Sequence, residues 1–559
     1  MRLRGWSLRA LWLSCLLTGA VSAQAAAPVL EHIYPAGAQR GTTNIITAIG
    51  KQDPWPVEVW TDDARVQFKA DKDKGKFSVI IAPDAEPGPR LVRLYNAEGA
   101  STVRYFIVSD SLEMEEKEPN DDLSKPQLLE KLPITVNGRL EKNGDVDSFA
   151  VNLEKDQWLI ASLEAYVLAS TMDGMLRITD TNGLQLAYNH DGNRTLDPFL
   201  AWQAPAKGTY IVQVMGFPHP ANSSINFDGG TGNIYRLNLT TGPYLDYVYP
   251  TGVIRSSKTE VKVYGWNLTG DKGWMGLGLQ TDLLSPTATS APVRIQSSNL
   301  LHIPLSTLTE QAEKEPNNAT NEVQTITVPG NLSGRIQPAG DADRFVFESK
   351  KGQKWEVAVQ SDKLGFPLDA TLRIEDPTGK ELAKNDDANN SADPALVWTA
   401  PADGKFTVAI SSLLRQGGSN YIYRLSVTEP QPSFRATIAA NNFNLSPGKT
   451  NEFKATVTRI HGHDGKLVLE ASGLPSGVSL IAGEVPAKSG EVTLKLIAQA
   501  DAKPFSGHFT ISVKDTAANI TLKAPNELIS RGTDNGVPQG YATLVIEQVD
   551  KLWLTVLKQ

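Results

Sequence analysis

The sequence predicts an all-β protein, five β-sandwiches in tandem, and three observations carry that prediction. Nearly every readable stretch alternates apolar and polar residues with period two, the mark of a half-buried strand. Turn chemistry separates these stretches, with 45 Gly and 34 Pro in 559 residues and hardly a segment of helical period. The chain also repeats itself: EKEPN occurs at Glu116–Asn120 and at Glu313–Asn317, and each copy runs on to a glycine and two alternating aspartates, "GDVDSF" at Gly144–Phe149 and "GDADRF" at Gly340–Phe345.

The first element is a leader. Arg2, Arg4 and Arg9 precede an apolar run from Ala10 to Val21, and Ala23-Gln24-Ala25 supplies a small-x-small cleavage site, so residues 1–25 read as a secretory signal peptide. A lipid anchor on Cys15 would need a better lipobox than Trp12-Leu13-Ser14. No later stretch has the apolar length to span a bilayer. The expectation is an exported chain, periplasmic, cell-surface or extracellular, with no transmembrane segment after cleavage. Removing the leader removes the single cysteine, which excludes thiol catalysis and cysteine metal sites. With 62 acidic against 54 basic residues and no lysine or arginine cluster to track phosphates, nucleic acid is excluded as a partner.

The remaining elements divide as 28–110, 113–243, 244–311, 312–429 and 430–559. The second and fourth superimpose at an offset of 196: Asp145 on Asp341, Asp173 on Asp369, Asn189 on Asn385, Asp197-Pro198 on Asp393-Pro394, Trp202 on Trp398. "YPAGAQRG" at Tyr34–Gly41 parallels "YPTGVIRS" at Tyr249–Ser256, 215 residues on, so the duplicated unit is a pair of segments. Alternation puts Leu159, Ala161 and Leu163 on the core face of one strand and Trp355, Val357 and Val359 on that of its counterpart. "DTNG" at Asp180–Gly183 and "DPTG" at Asp376–Gly379 suit tight turns. The five segments are expected to line up as a rod.

These residues carry a resemblance. The cassette "EKEPN…GDVDSF…LRITDTNG…DPFLAWQAPAKGTYIVQV" resembles the bacterial pre-peptidase C-terminal (PPC) domain, a jelly-roll-like sandwich appended to secreted peptidases. The segments beginning "IYPAGAQRG" and "VYPTGVIRS" resemble IPT/TIG immunoglobulin-like domains, and the "GLPSGV" segment resembles another immunoglobulin-like module. The domain order is similar to that of large exported proteins of planctomycete-type bacteria.

In an extended segment Glu116, Glu118 and Asn120 project to one side, and Pro119 biases Glu118 toward that conformation. If the "GDVD" turn folds alongside, Asp145 and Asp147 add two carboxylates, and five or six oxygen donors without nitrogen or sulfur suit a hard cation such as Ca²⁺. The competing reading is a solvated acidic linker followed by a turn. The resemblance favours the ion, because collagen-binding relatives of the family hold calcium with an acidic linker of this type. Carried over, the matching positions are Glu116, Glu118, Asn120, Asp121 and Asp145, and Glu313, Glu315, Asn317, Asn318 and Asp341; Asp147 and Asp343 complete the two sets. Asp121 gives copy one a formal charge that Asn318 does not supply.

Other candidates are weaker. Asp369 with Asn385, Asp386 and Asp387 reads as turn capping, and His190 stands where copy two has Asp386. "HGHDG" at His461–Gly465 reads as a hairpin tip. Trp158 and Ile160 face away from the core where copy two has Lys354 and Glu356, a possible contact with a ligand or a neighbouring domain. There is no HExxH, GxSxG or Walker-type loop. The expectation is a non-enzymatic exported binding, adhesion or scaffold protein, stabilised by calcium, with an extracellular protein or polysaccharide as partner. The rivals are an accessory subunit or remnant of a secreted peptidase or hydrolase, and a hydrolase with an unrecognised site.

Overall fold

The structure is a computed structural model. It describes residues 26–558 except 193–194, 220–221, 269–272, 286–287, 389–390 and 532–542. The leader of residues 1–25 lies outside the described residues. Among those described, the chain is all-β, its helices being two 3-10 turns at Tyr166–Leu168 and Asp362–Leu364. No described helix is long and apolar enough to cross a membrane.

Facing sheets enclose separate cores. In residues 28–110, Val29–Tyr34 and Thr43–Lys51 belong to one four-stranded sheet, and Gly88–Asn96 and Arg104–Ser109 to the sheet opposite. Leu30, Ile46, Phe77, Val79, Val92 and Phe106 fill the space between them. A smaller pair of three-stranded sheets follows in residues 244–311. In the C-terminal segment Phe443, Val457, Leu494, Phe509, Ile511 and Leu554 form the core.

The cassettes have the same winding, strand for strand. Eight antiparallel strands run from Ile134–Arg139 to Ile234–Thr240 in the first. One sheet takes them in the order first, eighth, third, sixth and the other second, seventh, fourth, fifth, which is the jelly-roll winding. Each sheet gains a parallel edge strand, Leu112–Glu115 beside Ile134–Arg139 and Gln127–Leu128 beside Asp147–Leu153. The EKEPN segment therefore crosses from one sheet to the other over one end of the sandwich.

The period-two faces fall as expected. Leu159, Ala161, Leu163, Trp355, Val357 and Val359 are all buried. Trp398 is buried, and Trp202 packs half-buried on the core, edge-on to Tyr210. Asp197 and Asp393, invariant between the copies, cap the 3-10 turns: each carboxylate accepts three successive backbone N–H groups, those of residues 165–167 and 361–363.

The expected rod does not form. The C-terminal segment returns to the first one, where the buried Arg93 guanidinium donates to Asn441 Oδ1 at 3.0 Å and Trp553 meets Tyr95 and Trp60 at ring distances of 4.7 and 6.1 Å. Arg294 also reaches Asp110 at 2.5 Å, joining the third segment to the end of the first. Period-two patterning marks which face of a strand is buried in its own sandwich, but it does not tell that the opposite faces, here those carrying Arg93, Tyr95, Trp60 and Trp553, are covered by another sandwich.

Candidate metal centre

In the first cassette the carboxylates of Glu118, Asp121, Asp145 and Asp147 come within 4.8 Å of one another. Glu116 joins them through Tyr235, whose hydroxyl lies 2.6 Å from Asp147 Oδ2 and 2.9 Å from Glu116 Oε2. Glu116 Oε1 accepts the Arg139 N–H at 2.6 Å, Asp145 Oδ2 that of Glu141 at 2.5 Å, and Glu118 Oε2 that of Asn120 at 3.0 Å. Asn120 is 1 % exposed, yet neither atom of its amide has a hydrogen-bond partner, and Asp145 Oδ1 and Asp147 Oδ1 are likewise buried without one. Buried polar groups are normally satisfied, so this end of the sandwich has unused oxygen donors. On its solvent side Lys142 Nζ sits 2.6 Å from Asp121.

The second cassette builds a thinner version. Glu313, Glu315 and Asp343 converge within 4.8 Å, Tyr423 donates to Asp343, and Glu313 accepts the Arg335 N–H at 2.7 Å. Asn317 repeats Asn120, fully buried with both amide atoms unpartnered. Two of the sequence candidates lie outside this group, although the Asp341 charge still bears on Glu315 and Asp343. Asp341 commits both oxygens to backbone, Oδ2 to Gln337 N and Oδ1 to Ala342 N, each at 2.9 Å, and Asn318 is exposed, its carbonyl taken by Arg344.

Electrostatics follow from crowding. Burial, and then the neighbouring Glu116, push Asp147 far above the carboxylate range, and burial lifts Glu116 as well. Asp145 rises to about 6 through burial and Asp121. In copy two, burial followed by repulsion from Glu313 raises Asp343, and burial raises Glu313. Carboxylates this close cannot all stay ionised alone. Each cluster takes up either protons or a cation, and the all-oxygen donor sets fit a hard metal ion.

Sequence reasoning missed the residues that frame the clusters. A Cβ on Gly138 would lie 2.1 Å from Tyr235 Cζ and 2.6 Å from Glu116 Oε2, and one on Gly334 would lie 2.2 Å from Tyr423 Cζ and 2.8 Å from Glu313 Oε2. Only glycine leaves room for tyrosine and glutamate together. Beneath them the buried Arg236 pairs with Glu113 at 2.5 Å and with Glu164, as Arg424 pairs with Glu310. The signal was present in the repeated "GR" of Gly138-Arg139 and Gly334-Arg335 and in "IYRLNL" against "IYRLSV" at Ile234 and Ile422.

The remaining candidates separate. His190 Nε2 lies 3.2 Å from Asp173, and Asp191 completes a group of three; in copy two Asp386 and Asp387 bear on Asp369. Asn385 Oδ1 accepts the Ala395 N–H at 3.3 Å, as a turn cap does. The two histidines of HGHDG point to different partners: His463 to Asp515 at 2.8 Å and His461 to Glu356 of the second cassette at 3.0 Å. Trp158 is half-buried, its carbonyl accepting Asn267 Nδ2 at 3.2 Å, and Ile160 is fully buried. The two do not form an exposed apolar patch.

No family model matches the chain. It is similar to a probable subtilase-type serine protease of Deinococcus radiodurans, 28% identical over 212 residues, which is 37% of this chain and 28% of that protein. The chain thus spans under a third of the length of that relative.

Proposed function

We propose that the protein is an exported, non-enzymatic scaffold whose two cassettes each bind Ca²⁺ and whose stiffened sandwiches hold an extracellular protein or polysaccharide. The single observation that carries the calcium reading is the pair of buried, unpartnered amides, Asn120 and Asn317, each in an EKEPN phrase whose second glutamate, Glu118 or Glu315, is exposed and clusters with a deeply buried aspartate. A neutral carbonyl oxygen among carboxylates completes an oxygen shell of the kind calcium takes. Copy one has the fuller donor set and the tighter site. Calorimetric titration of the full chain with Ca²⁺, and melting with calcium or chelator, test this. Two binding events are expected, with about 2.7 kcal/mol of stabilisation at a hundredfold excess over Kd. No binding heat and identical melting would return EKEPN to a polar linker.

The subtilase-type relative favours a second reading, an accessory to or remnant of a secreted peptidase. Hydrolysis of a generic protein substrate, by the chain alone and by a subtilase-type peptidase mixed with it, separates the two. The scaffold reading expects no turnover by the chain and no change in the lifetime of the peptidase.

A further inference from the structure

The repeated YPxG motif and the candidate metal clusters lie on opposite sides of one short piece of chain. In the first pair Tyr34 donates its hydroxyl to the Asn137 carbonyl at 3.3 Å, and the Arg139 guanidinium lies 5.2 Å above the Tyr34 ring. Gly37 fits so closely that a Cβ there would meet Arg236 Nε at 2.7 Å. The second pair repeats each contact: Tyr249 to the Ser333 carbonyl at 2.8 Å, Arg335 at 5.4 Å above its ring, and Gly252 with a Cβ position 2.8 Å from Arg424 Nε. Thr251 adds its N–H to Ser333 Oγ at 2.9 Å. The other side of the same tripeptides holds the cluster glutamates, Arg139 N–H on Glu116 and Arg335 N–H on Glu313, with Gly138 and Gly334 against those same carboxylates.

We infer that YPxG is a plug by which each immunoglobulin-like segment docks on the cassette that follows it, and that cation binding in the cassette and seating of the plug strengthen each other through Asn137–Arg139 and Ser333–Arg335. This rests on the proposed calcium sites. A cation that fixes Glu313 directly, or Glu116 through Asp147 and the Tyr235 hydroxyl, also fixes the backbone N–H that the glutamate accepts. The tyrosine then docks on a strand end already ordered, and linkage makes the effect reciprocal. The arrangement also gives a physical reason for duplication in pairs, since a cassette copied without its plug would expose the Arg236 or Arg424 guanidinium.

Hydrogen–deuterium exchange of the full chain, in calcium and in chelator, tests the coupling. Residues 32–39 and 247–254 contain no candidate ligand. Calcium is expected to slow their exchange roughly fivefold or more, and Tyr34→Leu with Tyr249→Leu to weaken calcium binding by a similar factor, while Tyr34→Phe with Tyr249→Phe, which keeps the rings, retains most of the affinity. If calcium protects 116–121 and 145–149 but leaves 32–39 and 247–254 unchanged, the coupling is wrong and the metal sites stand. If it protects none of these segments, the metal reading fails and the coupling with it. Should the leucine variant misfold, the wild-type exchange comparison decides by itself.

Discussion

Gly138→Ala adds one methyl group where the structure has no space for it. The new Cβ would sit 2.1 Å from Tyr235 Cζ, 2.2 Å from its hydroxyl and 2.6 Å from Glu116 Oε2, far inside van der Waals contact. Tyr235 is 1 % exposed and cannot swing out. Overpacking a closed site costs about 1–3 kcal/mol, and displacing a hydroxyl held by carboxylates about 1.5–3 kcal/mol more, so about 2.5–6 kcal/mol is expected from the two together. The backbone offsets about 0.4–1 kcal/mol of this, because Gly138, unlike Gly144 with φ +85°, does not need the left-handed region and alanine narrows the unfolded ensemble. Native-state hydrogen exchange of Ile134–Arg139 and Ile234–Thr240 reads the loss locally, and Gly276→Ala, with open space around it, is the control. Calcium affinity should fall as well, since the displaced tyrosine and glutamate border the cluster. Tyr235→Leu in the same chain should recover part of the stability, because removing the ring removes the clash. A loss below about 1 kcal/mol, or strict additivity of the two changes, would refute the steric account.

Two further outcomes follow from the same geometry. Burial raises Glu116, Asp147, Glu313 and Asp343, so their stabilising contribution in the metal-free protein is complete below the unfolded carboxylate value near ~4 and is lost as pH rises through about 7 for Glu116 and Glu313. Calcium competes with those protons, so affinity should rise from pH 6 to 8 with release of about one proton per cassette; calorimetry in buffers of different ionisation heat measures this, and buffer-independent heats would contradict it. Asn441→Ala removes one acceptor, Oδ1, from the buried Arg93 guanidinium, which keeps the Ser101 carbonyl; the loss is about 1.5–3 kcal/mol and should loosen the contact between the terminal segments. Small-angle scattering should then give a larger radius of gyration, and an unchanged profile would show that the Trp60, Tyr95 and Trp553 rings hold the ends without it.

The sequence by itself determined the fold class, the repeated cassettes and the core faces, because period two and turn residues are local properties that survive in any arrangement of strands. It also located most of the donors, since Glu116, Glu118, Asn120, Asp121, Asp145 and Asp147 recur around two short phrases. Tertiary structure decided which of them converge. Asp341 and Asp145 are equivalent in sequence, yet Asp341 commits both oxygens to backbone N–H groups while Asp145 keeps one, a difference of hydrogen bonding that spacing cannot encode. Tyr235, Gly138 and Arg236 reach the site from strands remote in sequence, the tyrosine 119 positions from Glu116. The return of the C-terminal segment to Arg93 was equally hidden, for it depends on shape and hydrogen-bond complementarity between surfaces hundreds of residues apart, which no local pattern records.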